Sequence, residues 1–224
     1  MNGPLRSDRR RFLERSLLVG GFALLGGRVP AADGLTLTPP QTEGPFYPET
    51  PPLETDNDLV VFRSDRVTAQ GVITNVTGRV LDERGRTLPG TAVEIWQCDV
   101  NGRYHHPADR RDAPLDEGFQ GYGRTVADAG GRYRFRTIRP VPYPGRTPHI
   151  HFKLAGPGFG GLTTQMYVAG EKRNARDGVL NRIADERQRA AVIVEFVPDT
   201  IGGAELEARF DIVLAADGRF DAPA

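Results

Sequence analysis

The sequence predicts an all-β chain, an antiparallel β-sandwich with a long proline-rich N-terminal arm and little helix. Three observations predict it. Short β-prone runs recur from Val72 onward, each ended by turn chemistry such as Asp82-Glu83-Arg84-Gly85, Asp99-Val100-Asn101-Gly102 or Asp128-Ala129-Gly130-Gly131. Helical periodicity is scarce, its best stretch being Asn181 to Ala190. Residues 33–70 are rich in proline and lack either period, which suits an extended arm. At 224 residues the chain has room for one catalytic-sized domain.

Taken in order, residues 1–32 differ from everything after them. A basic stretch leads into an apolar run from Leu17 to Leu25 and a small-residue end at Val29-Pro30-Ala31. That is the layout of a signal peptide, and the run is too short to span a bilayer as an ordinary helix. Arg9-Arg10-Arg11-Phe12-Leu13 resembles a twin-arginine export signal, with Asp8 and Glu14 departing from the usual flanks. The expectation is export to the periplasm or beyond the cell, with no membrane contact after processing; the alternative is an amphipathic N-terminal arm. The arm follows over 33–70, and the β-sandwich over 71–224. Its expected strands lie in VITNVTGRVLD, TAVEIWQCD, RYRFRTI, HIHFKLA, TTQMYVA, AVIVEFV and ELEARFDIVLA.

Balanced charge, 29 basic against 29 acidic residues, speaks against nucleic acid or an anionic membrane surface as partner. Cys98 is the only cysteine, which excludes an internal disulfide and a cysteine-rich metal site. A metal would be held by His, Tyr, Asp or Glu. Two of the four histidines stand at His149 and His151, and strand alternation turns both to one face with Ile150 opposite. Two imidazoles aimed into one space form a candidate ligand pair, although a spacing of two also suits core histidines satisfied by hydrogen bonds. Tyr143 lies between two prolines that fix its backbone, and Tyr104 lies just past a turn, from which a side chain can project into a cleft. Trp96 and Phe135 read as core residues, and His105 and His106 as surface or supporting groups.

In order along the chain, QTEGPFYP, GRVLDERGRTLPGTAVEIWQCDVNGRYHH, GRYRFRTIRPVPYP, RTPHIHFKLAGPGF and TTQMYV together resemble the intradiol ring-cleavage dioxygenases of the protocatechuate and catechol type, from about Gln41 to Leu214. The resemblance implies a non-haem Fe(III) held by Tyr104, Tyr143, His149 and His151. Tyr143 and His149 would be axial, Tyr104 and His151 equatorial, and Tyr143 would leave the metal and take a proton from the substrate. It implies a catechol-type substrate opened by O2 between its two hydroxylated carbons to a muconate-type diacid. Ferric iron prefers anionic oxygen donors, and its charge drives phenol deprotonation below the free value near ~10.

Arg146 occupies the position of the family's active-site arginine, where a fixed cation stabilises developing negative charge; otherwise it is a solvated loop arginine. Gln165 resembles the supporting glutamine beside it, or else is a strand residue facing solvent. Thr42, Gly44, Pro45 and Tyr47 match the segment that lines the substrate mouth, and equally suit a structural arm. Gly145 stands where many members carry an aromatic residue, and a partner for a substrate carboxylate is not obvious among Arg103, Arg124 and Arg173. A homo-oligomer is expected. Two rivals are a secreted β-sandwich module that binds aromatics or saccharides without catalysis, and a hydrolase with zinc at His149 and His151, which would need a third ligand and a carboxylate base; no HExxH motif occurs in the sequence.

Overall fold

A computed structural model describes residues 34–50, 55–62, 67–156 and 159–215. The predicted leader over 1–32 lies outside them. Twelve strands are present among the described residues: β1 (Val61–Phe62), β2 (Val67–Thr68), β3 (Ile73–Asp82), β4 (Ala92–Trp96), β5 (Tyr122–Val126), β6 (Arg132–Ile138), β7 (His149–Gly156), β8 (Phe159–Val168), β9 (Ile193–Val194), β10 (Phe196–Pro198), β11 (Leu206–Arg209) and β12 (Ile212–Leu214). Two sheets carry the fold. One runs β10-β11-β3, with β6 on the other edge of β3 and β12 beside its second half; the other runs β5-β4-β7-β8-β9.

The all-β sandwich is what the sequence predicts, but both sheets are mixed rather than antiparallel. β11 and β12 run parallel to β3, and β9 runs parallel to β8. Parallel neighbours need a long crossover instead of a hairpin, and the chain supplies one. Between β8 and β9 it passes through 3-10 turns at Lys172–Arg176 and Leu180–Arg182 and a short helix, α1 (Glu186–Ala191). The helical stretch expected over 181–190 is therefore broken. Asp185 is extended because its carboxylate caps α1, accepting the Gln188 N–H at 2.9 Å, and a capping residue cannot itself be helical.

Side-chain alternation builds the core. Ile150, Phe152 and Leu154 of β7, Val93 and Ile95 of β4, and Leu162 and Met166 of β8 turn inward onto Val76, Val80, Phe135 and Ile138 of the opposite sheet, in one buried cluster. Burying each such side chain stabilises the fold by about 1.5–3 kcal/mol. Two runs read as single strands are interrupted, at Glu195 and at Phe210–Asp211. Strand β5 gives a weak sequence signal because its second residue is Gly123. A Cβ there would lie 2.6 Å from Leu59 Cδ1 and 2.7 Å from Asp56 O, so the close passage of 56–59 requires glycine. Within the stretch expected as arm, Leu59 and Val60 are fully buried and β1 pairs with β2. No helix of the described residues is long and apolar enough to cross a membrane.

Candidate metal centre

With Ile150 and Phe152 committed to the core, β7 must present His149 and His151 on the outer face of its sheet. Register then decides their neighbours. Trp96, His151 and Gln165 form one row across β4, β7 and β8, and His149 pairs with Tyr167. Both histidines are buried, and their Nε2 atoms lie 3.2 Å apart. His149 Nδ1 is 2.7 Å from the Thr147 carbonyl, an acceptor, so Nδ1 carries the proton and Nε2 turns a lone pair into the cluster. Burial first, and then the Arg146 cation, lowers His149 to about 3. Burial, His149 and Arg146 hold His151 well below the ordinary imidazole range. Both imidazoles are neutral at pH 7, the form that binds metals.

The tyrosines arrive from loops. Asp99 holds the turn after β4, accepting from the N–H groups of Asn101 and Arg103, and Asp109 accepts the N–H of Tyr104 at 2.7 Å. Tyr104 thereby sinks into the site, 3% exposed, with its hydroxyl 3.5 Å from His149 Nε2. Tyr143 is half-buried and opens a tight turn, with the Arg146 N–H on the Tyr143 carbonyl at 3.0 Å. Pro144 presets the second position of that turn and Gly145, at φ 80°, the third, the pattern of a type II turn. The two phenol rings meet edge to face at 5.7 Å between centroids, and Tyr143 lies 5.5 Å from the His149 ring. Burial raises both phenols, although Arg146 opposes it at Tyr143.

Arg146 is not a solvated loop arginine. Its Nε donates to Asp177 at 2.8 Å and its terminal nitrogen to Gln165 Oε1 at 2.6 Å. Asp177 is buried and also accepts N–H groups from Thr147, Val179 and Leu180. Those bonds, with Arg146, outweigh burial and hold its carboxyl below the usual range. Gln165 is fully buried; its Nε2 donates to the Thr42 carbonyl, and its Oε1 accepts from Tyr167. It therefore fixes the guanidinium and ties it to the arm.

That arm crosses the outer face of the sheet. Gln41 bonds to Thr163 and Tyr167, and Lys153 to Glu43 at 2.6 Å. A Cβ on Gly44 would lie 3.5 Å from His151 Cε1, so Gly44 borders the centre. Thr42 contributes its carbonyl to Gln165, and Pro45 is exposed. Tyr47 is drawn aside, with its hydroxyl on Glu94 at 2.8 Å and Lys153 over its ring. Phe46, its neighbour, is the residue that stacks on Tyr104, at 4.6 Å. Trp96 stacks on His151 at 4.7 Å and belongs to a second aromatic cluster with Tyr104 and Tyr122, away from the inter-sheet core that holds Phe135.

Sequence reasoning overlooked Asp109, Arg111 and Asp177. Arg111 is paired with Asp109 and places its guanidinium 4.7 Å from the Tyr143 ring centroid. In sequence, PADRRD is a charge run with no motif, indistinguishable from a solvated loop. Neither His105, 3.8 Å from Asp99, nor His106, whose Nδ1 accepts the Ala108 N–H, joins the imidazole pair. Arg103 is turned to the Ala113 carbonyl and Arg124 to Glu94.

Two imidazole nitrogens and two phenol oxygens thus converge in a buried space. Without a cation such a cluster is costly, because burial penalises phenolate and imidazolium alike. A highly charged cation would use both lone pairs and turn the phenols from desolvated hydroxyls into anionic ligands. The donor set fits a hard, trivalent metal better than the tetrahedral Cys/His/carboxylate sets of zinc. Among the described residues no group of three or more His, Cys, Asp or Glu gathers to hold a metal.

Comparison with known proteins identifies the family. The family model Dioxygenase_C, described as Dioxygenase, matches residues 42–216. The chain is 48% identical over 148 residues to the protocatechuate 3,4-dioxygenase beta chain of Burkholderia cepacia, covering 62% of this chain and 63% of the relative. It is 30% identical over 199 residues to catechol 1,2-dioxygenase of Candida albicans, covering 78% and 61%. The chain thus spans about three fifths of the length of these relatives. Among solved structures, the dioxygenase domain of a dioxygenase carbohydrate-binding protein fusion from Streptomyces sp. SirexAA-E superposes with a TM-score of 0.62 at 33% identity, over 81% of this chain and 99% of that one.

Proposed function

The chain belongs to the intradiol ring-cleavage dioxygenase family, and from that premise we propose that it opens the ring of a catechol-type substrate between its two hydroxylated carbons. Both atoms of O2 enter the product, a muconate-type diacid. The observation that carries this reading is the convergence of Tyr104, Tyr143, His149 and His151 on one buried point. These four would hold a non-haem Fe(III), which when bound would supply an electron-accepting Lewis-acid centre for the two catechol oxygens.

The chain's own residues do the rest. His149 is oriented by the Thr147 carbonyl, so its ring cannot turn away. Tyr143, on a partly exposed turn, is the more accessible phenol and the one placed to accept a proton from an entering catechol. Arg146, fixed between Asp177 and Gln165, holds positive charge beside the pair of histidines without needing to reorient during reaction. Gly44, Phe46 and Trp96 wall the space with aromatic and backbone surface, which limits water. A non-catalytic binding module would need none of the four donors to meet.

Export through residues 1–32 and assembly into a homo-oligomer belong to the same proposal. Export rests on the layout of the first 32 residues, and the homo-oligomer on the family resemblance. The direct test supplies catechol and 18O2 to the iron-loaded protein. Cis,cis-muconate carrying label in both carboxyl groups is the expected product; a 2-hydroxymuconic semialdehyde, or no ring opening with any catechol, would reject the reading. N-terminal sequencing of protein recovered from the periplasm would find a start near Asp33 if the leader is cleaved.

A further inference from the structure

The metal centre lies on the outer face of one sheet; the outer face of the other, built on β3, β6 and β11, carries arginines. Strand β6 alternates strictly, with Tyr133 and Phe135 buried and Arg132, Arg134 and Arg136 turned outward. Register sets Arg79 of β3 directly opposite Arg132, and Thr77 opposite Arg134, with Arg209 of β11 on the far side of Thr77. Like charges directly opposite one another destabilise a strand pair, so the Arg79–Arg132 pair costs stability unless an anion lies over it.

The protein's own carboxylates do not neutralise these arginines. Among the described residues Arg136 pairs with Asp58 and Arg209 with Asp211, whereas Arg79, Arg132 and Arg134 form no ion pair. Arg134 is steadied by a neutral acceptor, donating to Asn75 Oδ1 at 2.8 Å. Asp128 turns one oxygen to the backbone N–H groups of Gly130 and Arg132, at 2.8 Å each. The charge of the whole chain is balanced, so this excess is local. Arg79, Arg132, Arg134 and Arg209 line a cleft of about 460 Å³, in which Asp128 is the only carboxylate. That volume suits a small organic ligand. Its wall also includes Val126 and Ile201, which are 58% and 52% exposed.

We propose that this cleft is a second binding site, on the sheet opposite the metal centre, and that its ligand is a small linear dicarboxylate. One carboxylate would lie on the Arg79–Arg132 pair and the other on Arg134, with an apolar spacer against Val126 and Ile201. Two features select this class. Guanidinium groups bind carboxylates through paired N–H groups that match the two oxygens. Positive charge also stands at two levels, two residues apart on β6 and so separated by roughly 7 Å of strand. A compact oxyanion such as sulfate would meet one level only. The site does not depend on the function proposed above, although a muconate-type diacid belongs to the same class.

The test titrates the iron-loaded protein calorimetrically, at low salt, with three probes. Adipate carries two carboxylates on a four-carbon spacer, monomethyl adipate keeps the spacer and one charge, and sulfate keeps two charges on one compact anion. The wild type is expected to bind adipate roughly five- to tenfold more tightly than either of the others, the range for exposed ionic contacts. Arg79→Gln/Arg132→Gln at one level and Arg134→Gln at the other should each lower adipate affinity by a similar factor. The double variant should melt no lower than the wild type without ligand, because it removes a repulsive pair. Equal adipate affinity in the wild type and both variants would place the anion elsewhere, such as the metal centre, and overturn the site. Sulfate or the monoester binding as tightly as adipate would overturn the dicarboxylate assignment, and no binding of adipate by the wild type would overturn both.

Discussion

The two histidines and the two tyrosines that meet in the centre are held in place by different means. His149 and His151 stand on β7, flanked by β4 and β8, and their positions follow from register with Trp96, Gln165 and Tyr167. Tyr104 and Tyr143 stand on loops, where no ladder of backbone bonds fixes them. Side chains do that work, through Asp99 and Asp109 under Tyr104, the Pro144-Gly145 turn under Tyr143, and Arg111 against the Tyr143 ring. A ladder of strand pairs fixes one half, and side chains and a turn fix the other. This division suits the proposed function, in which the more accessible Tyr143 takes a proton from an entering substrate.

Breaking the loop half outright should have the largest effect. Replacing Tyr104 by Phe removes the oxygen proposed as an anionic ligand and leaves a buried ring of nearly the same shape. The expected outcome is a folded protein with no visible colour and no measurable ring cleavage; full turnover would show that Tyr104 is not a ligand.

Acid and alkali should separate the halves next. In the iron-free protein His149 is lowered to about 3 and His151 well below its ordinary value near 6.5. The unfolded chain therefore binds protons that the folded chain refuses below pH 6.5. Stability should fall as pH drops from 6.5 toward 3, by about 1.4 kcal/mol per pH unit for each histidine. The phenols are shifted upward, so they contribute nothing in that window. Denaturant midpoints of wild type and of His149→Asn across pH 7 to 4 would check this, with a shallower slope expected in the variant.

A smaller effect is expected at Asp109, which holds Tyr104 through its backbone. Asp109→Ala should weaken iron binding by about 10- to 100-fold, the usual consequence of removing a group that orients a ligand. Competition with a chelator would measure it. The corresponding loss in the strand half, Trp96→Leu, should be smaller because register still places His151. Smallest is Gly145→Ala, whose positive φ predicts about 1 kcal/mol of lost stability by denaturant titration.

The strand half was legible because alternation is a strict rule. With HIHF in a strand, both imidazoles must share a face, and the sheet did the rest. The tyrosines were legible only through resemblance to a family, since a tyrosine after a turn has no period to announce its direction. Asp109, Arg111 and Asp177 were invisible for the same reason. Asp177 meets Arg146 across 31 positions of sequence, and the bonds of Asp109 to Tyr104 and Arg111 lie in a loop with no period to announce them. Parallel pairing of β9, β11 and β12 was missed because strand propensity carries no direction. The arm's importance was legible in QTEGPFYP, yet the residue it lays on Tyr104 is Phe46, whereas Tyr47 turns to Glu94.

The central claim is that two tyrosinates and two imidazoles hold ferric iron in this buried space. It is tested most directly by a visible absorption spectrum of the purified protein, recorded anaerobically before and after adding catechol. The account predicts a tyrosinate-to-iron charge-transfer band that shifts to longer wavelength as catechol chelates the metal. A protein that stays colourless after reconstitution with ferric iron would contradict it.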